Sequence, residues 1–295
     1  MRIRMAENFR AVFYAPFYAA QALGLHAREG VEVELLNSSA PGGGPAALLD
    51  GAADITWGGP MRVMKVRDQD PAAPLVCFCE VVGRDPFFLI GRGDGGAFAL
   101  ADLPRLRFAS VSEVPTPWLC LQHDLREQGI DPAQLQRTAD RTMGDNIAAL
   151  RRGQLDVVQV FEPYASLAMQ GGAARILYAA SARGPTVYTT FTATRAGIVR
   201  HRTAFAAMTR AMGRMQDWLA EHGADDLAAA VAPFYPDVAR DILTSSLERY
   251  RQGGIWSQTT GVSRQGFARL GESLASGGFI SRLPVYEDCV DVSLG

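Results

Sequence analysis

The sequence lacks the features that would mark a nucleic-acid binder, a membrane protein or a disulfide scaffold. Twenty-nine Lys and Arg stand against 31 Asp and Glu, a net charge of −2 over 295 residues. No basic stripe could follow a phosphate backbone, so nucleic acid is not an expected partner. No apolar run approaches the roughly 18 residues that span a bilayer. The four cysteines, Cys77, Cys79, Cys120 and Cys289, are too sparse for a disulfide framework and are not spaced like a zinc site. Cys77 and Cys79 flank Phe78 in a β-like run, which should point both to one face as buried thiols. No metal or cofactor is expected. Ser, His and Asp, or Cys and His, nowhere form a nucleophilic set. Arg2 and Arg4 precede an apolar stretch, but Glu7, Asn8, Arg10, Pro16 and Gln21 interrupt it, so a cleavable leader is not expected.

What is present is an ordinary globular composition, 48% hydrophobic and 20% charged, in a chain long enough for two domains. It is organised around Ala149–Tyr164, ALRRGQLDVVQVFEPY. An amphipathic helix ends at Gly153, where a residue without Cβ suits a left-handed C-terminus. Val157, Val158, Val160 and Phe161 follow as a buried strand, and Glu162-Pro163-Tyr164 opens the next helix. Ala47–Pro60, ALLDGAADITWGGP, has the same form. Asp156 and Asp54 then correspond at a spacing of 102 residues (156 minus 54). Two similar α/β lobes are implied. Ligands of open α/β sheets lie beyond the carboxyl ends of the strands, so two such edges face to face make a cleft.

In order, strands are expected at Met1–Met5, Val31–Leu36, Leu75–Gly83, Phe87–Gly91, Leu106–Ala109, Ala174–Leu177 and Val187–Thr194. Helices are expected at Ala15–Leu23, Pro60–Val66, Trp118–Gln128 and Asp145–Arg152. Pro41-Gly42-Gly43-Gly44-Pro45 is glycine-rich but lacks the Lys-Ser/Thr of a phosphate-binding loop. From His201 the pattern is helical only. Phe205, Met208, Met212, Met215 and Leu219 form a core stripe, and Asp237–Tyr250 and Ser263–Ser276 are further amphipathic helices.

Tyr18–Gly30 with VEVEL, Gly42–Asp54, Asp85–Ile90, Gly129-Ile130-Asp131 and Leu150–Tyr164 together carry a resemblance. The chain resembles the substrate-binding proteins of bacterial ABC importers for sulfonates, nitrate, taurine and thiamine-pyrimidine precursors. That resemblance implies an α/β, two-lobed type II periplasmic-binding fold with a ligand cleft between the lobes and a helical C-terminal region. Residues 1–88 plus 189–295 would form one lobe and 89–188 the other. It further implies a monomer that captures a small molecule and delivers it to a membrane permease, with a periplasmic location. A cytoplasmic enzyme on the same fold is the alternative. The fungal pyrimidine synthase of the family uses a histidine and a cysteine-rich iron motif, which Cys77-Phe78-Cys79 matches only in miniature. The aromatic desulfinase relative needs a cysteine in the first loop, which here reads Glu7-Asn8-Phe9-Arg10.

Five segments should reach the cleft. They offer Asn8, Phe9, Phe13 and Tyr14; Trp57, Gly58 and Gly59; Ser110, Ser112 and Thr116; Glu162 and Tyr164; and Tyr188 with Thr190. The aromatic content favours a flat, pyrimidine-like ligand, with Trp57 supporting its face and Glu162 reading its polar edge. Sulfonates and carboxylates rank second, with Arg62 and Arg84 as the nearby cations.

Overall fold

The computed structural model describes residues 1–37, 43–93 and 96–294. Pro41 and Gly42 of the glycine-rich segment lie outside the described residues. The first sheet is built from β1 (Arg2–Ala6), β2 (Glu32–Leu36), β3 (Ile55–Gly58), β4 (Leu75–Val82) and β10 (Thr189–Thr194). The second holds β5 (Phe88–Arg92), β6 (Arg107–Ala109), β7 (Gln136–Thr138), β8 (Val157–Val160) and β9 (Ala174–Ala179). Their orders are β2-β1-β3-β10-β4 and β7-β6-β8-β5-β9. The two are one pattern written twice. Three parallel strands come first, and the strand arriving from the other lobe is inserted antiparallel before the last.

The repeated Gly-x-x-Asp has a specific mechanical role in each sheet. Gly51 and Gly153 both adopt positive φ, 77° and 73°, after α3 (Gly43–Leu49) and α6 (Met143–Arg151). The aspartate three residues past that glycine then reaches back to the sheet's first strand. Asp54 Oδ2 accepts from the Arg4 backbone N–H at 2.9 Å, while its Oδ1 accepts from the Arg4 guanidinium at 2.8 Å. Asp156 does the same with Arg107, at 2.9 and 2.6 Å. Hydrogen bonds from Arg107 pull the Asp156 carboxyl down to about 2. A bidentate, charge-assisted clamp thus joins the first and third strands of each sheet.

The chain crosses between sheets twice, from β4 to β5 and from β9 to β10. Arg183 in the second crossing is buried between two carboxylates, Asp85 of the first crossing and Asp124 of α5 (Thr116–Glu127). Its Nε donates to both Asp124 oxygens at 3.0 Å, and the Tyr178 hydroxyl adds a bond to Asp124 at 3.2 Å. Arg84 also donates to the Ser181 carbonyl at 3.4 Å.

The expected Cys77 and Cys79 geometry is corrected. Cys79 has φ of 55°, and Phe78 and Glu80 face consecutive residues Phe191 and Thr190 of β10. Cys79 is therefore the extra residue of a β-bulge, which breaks strict alternation. Cys77 packs with Leu75, Leu270 and Cys289, whereas Cys79 joins Phe78 and Val81 in the main core.

The C-terminal half adds α8 (Arg195–Arg200), α9 (Arg202–Glu221), α10 (Ala224–Val231), α11 (Arg240–Gln252), α12 (Arg264–Ser276) and α13 (Tyr286–Cys289). Phe205, Met208, Met212 and Met215 of α9 are fully buried, as the stripe predicts, and Leu219 is half-buried. The helix expected from Asp237 begins at Arg240, because residues 235–239 form the connection from α10. Neither α10 nor the short polar edge strand β7 is foreseen from periodicity. α12 packs on α4 (Met61–Gln69) of the first lobe and on α5 of the second. α11 packs on α10 and on α7 (Tyr164–Met169) of the second lobe. The terminal helices thus bridge both lobes.

Two predictions follow from these contacts. Asp54→Asn and Asp156→Asn should each lower the urea midpoint of unfolding, with additive effects in the double variant because the clamps lie in different sheets. The second concerns His26 on α2 (Leu25–Arg28), a helix packed against α9. His26 is buried with neither ring nitrogen bonded, and burial brings its pKa down to about 4. Below pH 6.5 the unfolded chain takes up a proton that the folded chain refuses. Stability should therefore fall as pH drops from about 6.5 towards 4, by at most about 3 kcal/mol. His26→Leu should flatten that part of the pH profile in urea titrations, and an unchanged slope would refute the assignment.

Candidate ligand-binding site

The carboxyl ends of β1, β3 and β6 and the return crossing meet at one crevice. It has a volume of about 30 Å³ and is lined by Asn8, Phe9, Phe13, Tyr14, Gly59, Met61, Arg62, Val114, Pro115, Thr116 and Tyr188. Two helices start here, one from each lobe: α4 behind Gly59-Pro60 and α5 behind Pro115. Their N-termini bring the partial positive charge of two helix dipoles to the same space. Asn8 is buried and donates to the Tyr14 hydroxyl at 3.1 Å. Tyr14 is buried as well, and that burial pushes its phenol up to about 12, so it stays a neutral hydrogen-bonding group.

Arg62 decides the electrostatics. Its guanidinium has no carboxylate or hydrogen-bond partner among the described residues. Burial lowers its pKa, with the neighbouring Tyr14 opposing the shift. A cation in that position favours whatever anion can replace its lost hydration.

A second cavity of about 690 Å³ adjoins the first, and Phe9 and Val114 line both. Its walls include Phe161, Tyr164 and Leu167 from the second lobe and Phe234, Tyr235, Val238 and Ile242 from the α10–α11 region. Rings of the two lobes meet between the cavities. Phe13 lies edge-on to Phe161 at 5.4 Å and to Tyr188 at 6.0 Å.

Of the residues expected from sequence, Asn8, Phe9, Phe13, Tyr14, Gly59, Thr116 and Tyr188 come together at the crevice, and Tyr164 lines the larger cavity. Gly58 lies just behind, where a Cβ would approach Asn8 Nδ2 to 3.4 Å. The others go elsewhere. Trp57 is a core residue, stacked on Phe17 at 4.8 Å and 9° and edge-on to Tyr14 and Tyr18. Strand β3 is covered by α1 (Ala15–Ala22), so its last large side chain packs inward rather than facing a cavity. Ser110 is buried, with its hydroxyl accepting from Arg137 at 3.4 Å; Ser112 is exposed and donates to the Arg141 carbonyl at 2.8 Å. Neither lines a cavity described above. Thr190 is fully buried in β10.

Glu162 is the largest correction. It is fully buried, and Arg249 of α11 pairs with its Oε1. Its Oε2 accepts from the Ser246 hydroxyl at 3.1 Å and from the Ser166 backbone N–H at 2.9 Å. The Tyr250 hydroxyl takes the Glu162 backbone N–H at 2.8 Å. The carboxylate therefore ties α11 and the start of α7 together, and its complete burial keeps it from a ligand edge. Sequence reasoning named Arg62 only as a nearby cation and missed the wall from Phe234 to Ile242. The Phe-Tyr-Pro run in that segment, aromatic and turn-forming, was the available signal.

The family model described as NMT1/THI5 like matches residues 12–225, well over half of the chain. The chain belongs to the NMT1/THI5-like family. YtlA of Bacillus subtilis (strain 168), provisionally named a binding protein, is 27% identical over 258 residues, covering 87% of this chain and 77% of YtlA. Among solved structures, the periplasmic aliphatic sulphonate-binding protein SsuA of Escherichia coli superposes with a TM-score of 0.77 at 18% identity. The match covers 98% of this chain and 97% of SsuA. The ligand-binding component of an ABC-type import system from Staphylococcus aureus gives 0.74 at 14%, covering 100% and 97%. A Cys-to-Ser variant of DszB holding biphenyl-2-sulfinic acid gives 0.69 at 15%, covering 99% and 97%. The two-lobed α/β architecture is thus the periplasmic-binding-protein fold.

Glu162→Gln tests the corrected role. Removing the charge opposite Arg249 should lower stability by about 2 kcal/mol, from weakened charge-assisted hydrogen bonds, while the crevice keeps its shape. Thermal unfolding checks the first point, and a melting temperature equal to the parent's would remove Glu162 from this structural role.

Proposed function

We propose that the protein is the solute-binding component of an ABC-type importer and captures a small organic anion, of sulfonate or carboxylate type, between its lobes. Arg62 carries this reading. It is a half-buried guanidinium without a protein counter-ion among the described residues, set where two helix N-termini and the Thr116 hydroxyl converge. A carboxylate or sulfonate accepts from such donors, and a guanidinium supplies them as a fork. A neutral amino-heterocycle would instead need a free acceptor, and the expected one, Glu162, is taken by Arg249. The family match, and neighbours that bind sulfonates or serve ABC import, support the same class.

On this reading residues 1–88 with 189–295, and 89–188, are the two lobes. A monomer binds its ligand outside the cytoplasm, in the periplasm, and hands it to a membrane permease. The protein binds without chemistry. Burial pushes the Cys77 and Cys120 thiols up to about 12 and Cys289 to about 11, and raises Cys79 further, so none is poised as a thiolate nucleophile.

The test is calorimetric titration with ethanesulfonate. Arg62→Met should weaken binding roughly ten- to a hundred-fold, the worth of a charge-assisted hydrogen-bonded pair, with the melting temperature of the free protein unchanged. The ligand should be recovered intact. Equal affinity in parent and variant, or consumption of the ligand, would sink the reading.

A further inference from the structure

The small crevice has room for a head group and little more: about 30 Å³ is room for about two water molecules. The space beside it is of ordinary ligand size, about 690 Å³. Phe9 and Val114 form the partition, and their other faces belong to the anion crevice. Beyond the partition the lining is apolar and aromatic, from Phe161, Leu167, Val238 and Ile242. Of the charged groups that border it, Arg10 is held by Glu7 and Glu113 accepts from the Met143 backbone N–H at 2.8 Å, while Asp237 is exposed.

The geometry points to a ligand with two unlike ends. We infer that the 690 Å³ cavity is a tail compartment, that the ligand is an organic anion with a bulky alkyl or aryl tail, and that Phe9 is the residue that sets tail passage. This rests on the anion-binding reading above. A head group on Arg62 and Thr116 has an apolar exit across the partition that Phe9 shares with Val114. That ring is only half-buried and touches neighbours edge-on, Tyr14 at 5.3 Å and Phe13 at 6.1 Å. It lacks the tight stacking that fixes Trp57 and can turn aside without breaking a hydrogen bond. The occupant's apolar surface would replace water against Leu167, Val238 and Ile242, which are contributed by the second lobe and by the α10–α11 region. The tail would therefore touch the elements that bridge the lobes, and a short anion would not.

Calorimetry with ethanesulfonate and octane-1-sulfonate, on the parent and four variants, separates the possibilities. The parent should bind octane-1-sulfonate at least tenfold more tightly than ethanesulfonate. Leu167→Trp and Val238→Trp, two half-buried wall positions on different elements, should each remove most of that advantage and leave ethanesulfonate within about twofold of the parent. Phe9→Ala should widen the partition and admit a biphenyl sulfonate more tightly than the parent does. Arg62→Met should weaken both sulfonates. If octane-1-sulfonate still depends on Arg62 but is indifferent to both tryptophans, the tail lies elsewhere: the compartment is refuted while the anion site stands. If neither sulfonate responds to Arg62→Met, the anion site itself fails, and the compartment with it.

Discussion

One buried cation holds the two halves of this molecule in relation. Arg183 lies in the second crossing, beneath the surface, and meets Asp85 from the first crossing and Asp124 from the second lobe. A guanidinium out of water is tolerable only with its donors used, and two carboxylates at fixed positions use them. The crossings are thereby locked side by side. Because each crossing strand inserts at the same place in its receiving sheet, the two carboxyl edges must face each other. The crevice is a consequence of that arrangement.

The lobes share a plan and differ in what their equivalent strand ends do. Both copies of the Gly-x-x-Asp turn clamp an arginine of the first strand, so the duplication is mechanical as well as topological. Past the strands the copies diverge. In the first lobe the strand-end aromatic, Trp57, is absorbed by α1, and Gly59 and Arg62 line the crevice instead. In the second, the strand-end carboxylate is claimed by Arg249, and Phe161 and Tyr164 face the larger cavity. The C-terminal helices cause part of this asymmetry. They pack on both lobes, and α11 uses Glu162 as its anchor.

Electrostatics then single out one corner. Where carboxylates and guanidiniums meet in the core they are paired, as at Glu7, Asp85, Asp124 and Glu162. Arg62 is left over among the described residues, at the point where both lobes present helix starts. A half-buried cation without a protein counter-ion is the observation on which the proposed anion site rests.

The sequence by itself determined the two-lobed plan and most elements. Periodicity and turn residues are local signals, and a duplicated turn 102 residues apart needs no coordinates to be seen. Six cleft residues followed because loops after parallel strands have one place to go, and Tyr188 because it lies on the return crossing. The rest depended on partners distant in the chain. Cys79 reads as an ordinary strand residue until the register of β10 makes it the extra residue of a bulge. Glu162 reads as a ligand contact until Arg249, 87 residues later, closes on it. Arg62 became the site's central charge only because no acid arrived beside it, and the wall at Val238 and Ile242 exists only where α11 docks. Burial, pairing and leftover charge are properties of the assembled molecule, and tertiary packing alone decided them.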